Sequence, residues 1–254
     1  MSKPSNLPIQ PTLRFYGDLV DLVSQPISDN RIIERSLSEP TSVKDLIEGC
    51  GVPHTEVDFI LADDKPVDFS YKITGNERIS VYPFFISLEI PKSERLQISK
   101  PDELLFLADV NLGKLAKHLR LAGFDTAYKN DATDSEIIKQ MQKENRILLT
   151  RDRKLLMRNA VKIGYLPRSD DSTEQLEEVF KRFDLFDEIQ PYSRCVNCNG
   201  MLERVSKESV MDQLEPLTKK YFDEFSQCPD CGQVYWKGSH RNRLDSRLER
   251  LLKL

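Results

Sequence analysis

Between Thr12 and Phe85 the apolar positions fall in short strand-like runs broken once by a helical pattern. TLRFYGDL predicts a first strand, IIERSLSE a second strand paired with it, and SVKDLIEGCGV an amphipathic helix closed by glycine. EVDFILADDKPVDF then predicts a strand and a turn, and RISVYPFF a last strand. From Leu104 the pattern changes, because strand runs now alternate with helical ones. LLFLAD, FDTAYK and RILLT predict three strands. Between the first two, Leu112, Leu115, Ala116, Leu119 and Ala122 share one helical face, with Asn111 as the expected cap and Gly123 as the stop. On the same helix Lys117 and Arg120 read as a solvated face. TDSEIIKQMQKEN predicts a second helix, with Thr133 and Glu136 in capping-box spacing. DRKLLMRNAV predicts a third, and STEQLEEVFKRFDL a fourth with a similar Ser/Thr start. This alternation implies a small three-layer α/β domain with a parallel sheet.

Two polar stretches frame these regions. Residues 1 to about 10 are rich in Pro, Ser and Asn and read as a loose arm, and PKSERLQISKP at 91–101 reads as a linker. The expected organisation is therefore a first domain over 12–90, an α/β domain over 102–190, and a third part over 191–254. A net charge of -4 over 254 residues excludes a wholly basic protein but not local basic patches. No signal segment opens the chain and no apolar run is long enough to span a membrane, so a soluble cytoplasmic protein with no membrane partner is expected.

The candidate chemistry sits at the ends of the strand runs. LLFLAD closes on Asp109 and RILLTRD on Asp152, and in an open parallel sheet ligands gather beyond the carboxyl ends of the strands. Asp131, in the loop after FDTAYK, enters from the same edge. Three carboxylates at one rim would repel one another unless a divalent cation neutralised them, and oxygen-only ligands suit Mg²⁺ or Mn²⁺. Such an ion would support hydrolysis of an RNA phosphodiester. Each aspartate also has a purely structural reading: Asp109 as a loop residue, Asp152 as a helix cap, and Asp134 as a partner of the helix dipole and only a secondary ligand candidate. Lys114 lies in the first turns of its helix within reach of a substrate phosphate. Arg151 and Arg153 flank Asp152 and offer guanidinium forks suited to phosphate, although a surface role fits them equally. Thr150 either orients a ligand or simply ends the strand.

Four of the five cysteines form two CxxC pairs, Cys195/Cys198 and Cys228/Cys231, about thirty residues apart. Four thiolates from two tight turns make a closed tetrahedral zinc site, structural rather than catalytic, bridged by a hairpin or helix. Cys50 stands alone and reads as a buried structural thiol. After the second pair the tail carries six Lys/Arg against two acids. Trp236, Lys237, His240, Arg241 and Arg243 there interleave aromatic and basic groups, a pattern that can hold single-stranded or structured RNA. A terminal amphipathic helix with Leu244, Leu248 and Leu251 on its apolar side is the alternative reading.

Two resemblances extend these readings. The order of elements over 12–86 resembles the β-grasp plan of ubiquitin-like domains, and GVPHTEVDFILADDKPVDFSYKITGNERISVYPFF is similar to the second half of small sulfur carriers. Those carriers act through a terminal diglycine, whereas Phe84 and Phe85 run on into ISLEIPKSE, so a protein-docking module is the reading that survives. LADVNLGKLAKHLRLAGFDT, ILLTRDRKLL, CVNCNGML, CPDCGQVYW and KGSH, in that order, resemble the Mut-seven C-terminal RNase family. That resemblance implies a PIN-like nuclease fold with a zinc ribbon, preceded by a ubiquitin-like domain. It carries over Asp109, Asp131 and Asp152 as metal ligands, with Asp134 as the fourth acid that such nucleases usually present. A nucleic-acid-binding adaptor with an inactive core is the competing expectation.

Overall fold

The computed structural model describes residues 9–25, 31–84, 90–97, 101 and 103–236. The chain divides into two compact units, and the division is discontinuous: residues 1–99 with 152–166 form the first, and 100–151 with 167–254 the second.

The first unit opens with β1 (Thr12–Phe15), which pairs antiparallel with β2 (Ile32–Glu34). β3 (Thr41–Ser42) leads into α1 (Val43–Glu48), whose N-cap Ser42 accepts from the Asp45 N–H. β4 (Val57–Ala62) turns through Asp63 and Asp64, both at positive φ, into β5 (Lys65–Pro66). β6 (Lys72–Ile73) pairs with β3, and β7 (Arg78–Pro83) lies parallel to β1. The main sheet runs β2-β1-β7-β4-β5, the mixed sheet of a ubiquitin-like fold. Its core holds Leu13, Phe15, Ile47, Ile60, Ile79 and Val81, all nearly inaccessible, and Cys50 is buried among them as expected. Burial pushes the Cys50 thiol up, against the lowering influence of Arg35, which keeps it protonated and inert. The last predicted strand stops at Pro83, and residues 85–89 lie outside the described residues.

The stretch read as a linker is held against the first unit where it is described, at 90–97. Asp58 is fully buried, and a buried carboxylate needs a compensating charge. Arg95 supplies it, the Leu96 N–H donates to the Asp58 carbonyl at 2.7 Å, and the Gln97 amide donates to the His54 carbonyl at 3.0 Å.

In the second unit β8 (Leu105–Ala108) leads through a single turn at Val110–Leu112 into α2 (Gly113–Leu121). Asp109, not Asn111, caps that turn, and α2 itself has no side-chain cap; Gly123 at φ +101 ends it. β9 (Asp125–Tyr128) follows, then α3 (Asp134–Glu144) with the full Thr133/Glu136 capping box, then β10 (Ile147–Leu149). β8 is central, parallel to β10 on one side and β9 on the other.

The next elements belong to the first unit. The predicted third helix shrinks to α4 (Arg153–Leu156), followed by β11 (Gly164–Tyr165). Tertiary contacts replace helical ones there: Arg153 donates to the Leu22 carbonyl at 2.6 Å, and Lys44 donates to the Asn159 side chain. The His54 ring bridges the Glu48 carboxylate at 2.7 Å and the Val161 carbonyl at 2.9 Å, and the Leu166 N–H donates to Glu56 at 2.8 Å.

α5 (Ser172–Phe183) returns to the second unit, capped by Asp171 rather than by its Ser/Thr start. Its Phe180 and Phe183 meet Phe124 and Phe106 edge to face and fix the helix over the sheet. The C-terminal part carries β12 (Glu203–Val205), α6 (Lys207–Val210), α7 (Pro216–Tyr221), β13 (Phe225–Gln227) and β14 (Val234–Trp236), with the strands forming an antiparallel sheet β12-β13-β14. No helix among the described residues is long and apolar enough to cross a membrane.

Candidate functional site

Asp109 stands where β8 ends. Its own N–H continues the ladder to the Leu149 carbonyl at 2.9 Å, so the strand pairing delivers the side chain to the rim. The residue is only 6% exposed, with Oδ1 accepting from the Val110 N–H at 2.6 Å and Oδ2 from the Thr150 hydroxyl at 2.6 Å. Thr150 is fully buried just beyond β10, so it orients Asp109 as well as ending the strand. The Tyr128 hydroxyl, at the end of β9, donates to the Val110 carbonyl at 3.1 Å and ties the third strand end to the same turn.

The other predicted residues are more open. Asp131 is exposed and lies 3.4 Å from Lys129, which also reaches Glu136 at 3.4 Å. Hydrogen bonds from the Thr133 backbone and side chain, then Lys129, lower the Glu136 carboxyl to about 2. Asp134 is exposed in the first turn of α3, and Lys114 is exposed on α2. Asp109, Asp131 and Asp134 do not gather into a set of potential metal ligands with their oxygens within 4.8 Å of one another. In the first unit, Asp152 is the N-cap of α4, its Oδ1 accepting from the Lys154 N–H at 2.8 Å and the Leu155 N–H at 3.3 Å. Arg151 is exposed and paired with Asp170, while Arg153 is half-buried on the Leu22 carbonyl.

The four cysteines do come together. Their sulfurs all lie within 4.8 Å of one another, with Cys195 and Cys231 3.6 Å apart and Cys198 and Cys228 3.4 Å apart. Those distances exclude disulfides, and zinc with Zn–S of about 2.3 Å in a tetrahedron would set sulfur edges of about 3.8 Å. Each CxxC is a knuckle: the Cys195 N–H donates to the Gly200 carbonyl at 2.7 Å and the Cys228 N–H to the Gln233 carbonyl at 3.0 Å. A Cβ at Gly200 would fall 2.9 Å from the Cys228 sulfur and 2.2 Å from an Asp230 oxygen, so a larger residue there would force these side chains to shift. Burial pushes the Cys195 thiol up, but the Tyr235 hydroxyl at 3.1 Å and the N–H groups of Cys198 and Asn197 outweigh it and bring the thiol down to about 7. The four sulfurs form a donor set that could hold a metal ion. Trp236 is half-buried against the apolar cluster of Val210, Leu214, Phe225 and Val234, whereas Lys237, His240, Arg241 and Arg243 lie outside the described residues.

Sequence reasoning missed how the cysteine site is fastened to the α/β sheet. Arg120, expected on a solvated face, is 4% exposed, and its guanidinium donates to the carbonyls of Thr126 at 2.9 Å, Val196 at 3.1 Å and Asn197 at 2.8 Å. Helical period alone assigned it to the polar face, but that side chain is enclosed between β9 and the first cysteine knuckle. Asn199, at φ +76, accepts from the Thr126 N–H at 2.9 Å and donates to Asp125 at 2.9 Å. Asp125 also pairs with Arg146 at 2.6 Å and Arg194 at 3.2 Å.

A parallel α/β sheet with a buried acid at its central strand end, joined to a four-cysteine ribbon, defines a nuclease-type domain beside a ubiquitin-like one. Residues 105–248 match the Mut7-C RNase domain and residues 9–89 match the Mut7-C ubiquitin domain, so the chain belongs to the Mut7-C RNase family. Comparison with curated proteins gave no match.

Proposed function

We propose that this protein is a divalent-metal-dependent ribonuclease that hydrolyses RNA phosphodiester bonds at Asp109, Asp131 and Asp152, with Asp134 as the fourth acid. One observation carries this reading: a buried carboxylate at the end of the central strand, fixed by Thr150 and Val110, in a chain of an RNase family. The oxygen-only donors fit Mg²⁺ or Mn²⁺, and such an ion, when bound, activates water and neutralises charge on the phosphate. Thr150 and the Val110 N–H hold Asp109 in one rotamer, so the site is oriented before substrate arrives. Lys114, at the solvent side of α2, supplies a cation for the phosphate. Zinc in the Cys195, Cys198, Cys228 and Cys231 site is structural, because four protein sulfurs leave no open position.

RNA, single-stranded or structured, would be held by Arg151 and Arg153 and by Trp236, Lys237, His240, Arg241 and Arg243 of the ribbon and tail. The ubiquitin-like domain, taken as 12–90, would dock a protein partner in the cytoplasm, with 102–190 as the PIN-like nuclease and 191–254 as the ribbon. The exposed position of Asp131, already paired with Lys129, favours a second reading, an RNA-binding adaptor with an inactive core. Labelled single-stranded RNA with Mg²⁺, Mn²⁺ or EDTA separates them. Metal-dependent cleavage that falls at least about 100-fold in Asp109→Asn and Asp152→Asn supports the nuclease. RNA binding without any metal-dependent cleavage supports the adaptor.

A further inference from the structure

Arg120 poses a problem that its hydrogen bonds do not solve. Arg120 is 4% exposed, and among the described residues its hydrogen bonds run to neutral carbonyl oxygens: Thr126, Val196 and Asn197. Among the described residues no carboxylate forms an ion pair with it; Asp125 is paired with Arg146 and Arg194. Buried charges are ordinarily paired, because desolvation without a counter-charge is costly. Burial opposes the charge of Arg120. Two of its three acceptors, Val196 and Asn197, are the residues between Cys195 and Cys198.

We propose that Arg120 is an outer-shell residue of the cysteine metal site, its cation compensating the net negative charge of a divalent ion held by four thiolates while its fork clamps the first knuckle. Four thiolates outweigh one divalent cation, so the loaded site carries an excess of negative charge beside a buried cation that lacks an acid. Charge and geometry then serve the same end. The metal stabilises Arg120 in its buried position, and Arg120 raises the affinity of the thiolates for the metal. Because the same side chain bonds the Thr126 carbonyl in β9, metal loading of the ribbon is coupled to the strand that precedes Asp131. Orienting partners outside the ligand set typically change metal affinity by about 10- to 100-fold.

The inference rests on reading the four cysteines as a zinc site, and the test keeps the two apart. Zinc affinity of the full chain is measured by competition with a chromophoric chelator, for the wild type, Arg120→Met and Arg120→Lys. Co²⁺ absorption checks that each variant keeps four sulfur ligands. Arg120→Met is expected to bind zinc about 10- to 100-fold more weakly with an unchanged Co²⁺ spectrum, and Arg120→Lys, which keeps the charge, to recover most of the loss. Metal loading should also raise the Tm of Arg120→Met by less than that of the wild type. If Arg120→Met proves insoluble, Arg120→Gln takes its place against Arg120→Lys. Wild-type affinity in the neutral variant overturns the proposal. So does an equal loss in the Lys and Met variants with the metal-free and metal-loaded forms destabilised alike, which would make Arg120 a structural brace only. A wild type that binds no zinc would refute the zinc reading itself.

Discussion

Asp109 differs from the other candidate acids in being buried and held at both oxygens. The Thr150 hydroxyl donates to its Oδ2, and a hydrogen bond to a charged group is worth about 1.5 to 3 kcal/mol. Thr150→Val keeps the shape of the side chain and removes that donor, so we expect a loss of about 2 kcal/mol in urea unfolding together with weaker Mn²⁺ binding. A variant as stable as the wild type would show that Thr150 merely fills space. Asp109 was legible because its sequence position, at the end of an apolar run, is also its structural position. Thr150 was ambiguous, since a strand-ending threonine becomes an orienting group only when a neighbouring strand places an acid beside it. Arg120 was misread for the related reason that periodicity finds the polar positions of a helix but not what encloses them, here β9 and the first cysteine knuckle.

At the scale of elements, β8, β9 and β10 and the helices α2, α3 and α5 stood in the sequence, as did both knuckles, because local pattern and tertiary role agree there, whereas the three ribbon strands did not. Where tertiary contacts dominate, local pattern failed. α4 is four residues long, its expected continuation replaced by the bonds of Asn159, Val161 and Leu166 to the ubiquitin-like fold. The polar stretch at 91–97 is held because Asp58 is buried and requires Arg95. The junction between ribbon and sheet is polar in the same way and makes a pH prediction. Burial raises the Asp125 carboxyl, but the hydrogen bonds from Arg146 and Asn199 and the charges of Arg146 and Arg194 outweigh it and hold it below the ordinary value. A carboxyl depressed in the folded state adds stability that is complete above its unfolded pKa of about 3.9 and is lost as pH falls through the folded value. The acid limb of a pH-stability curve should therefore flatten in Asp125→Asn compared with the wild type at equal metal loading. An unchanged limb would remove Asp125 from the account.

For the whole molecule, the discontinuous division has a direct consequence. Residues 152–166 complete the ubiquitin-like unit, with Leu155, Leu156 and Val161 at most 1% exposed. A chain begun at residue 100 would leave the Val161 carbonyl without His54 and the Leu166 N–H without Glu56. Amide hydrogen exchange over 152–166 is expected to accelerate by several orders of magnitude in that truncated chain while α2 and α5 stay protected. Unchanged protection would mean that the segment is ordered independently. The zinc reading proposed for the four cysteines predicts one zinc ion per full chain by elemental analysis, lost in Cys228→Ser with unfolding of the β12-β13-β14 sheet; a full chain that holds no zinc would contradict it.

The central claim is that Asp109 anchors a catalytic divalent-metal site distinct from the cysteine site. Titration of the zinc-loaded chain with Mn²⁺, followed by electron paramagnetic resonance, tests it most directly. We predict saturable Mn²⁺ binding in the wild type that disappears in Asp109→Asn, with zinc content unchanged. Equal Mn²⁺ binding in the two proteins, or none in the wild type, would contradict it.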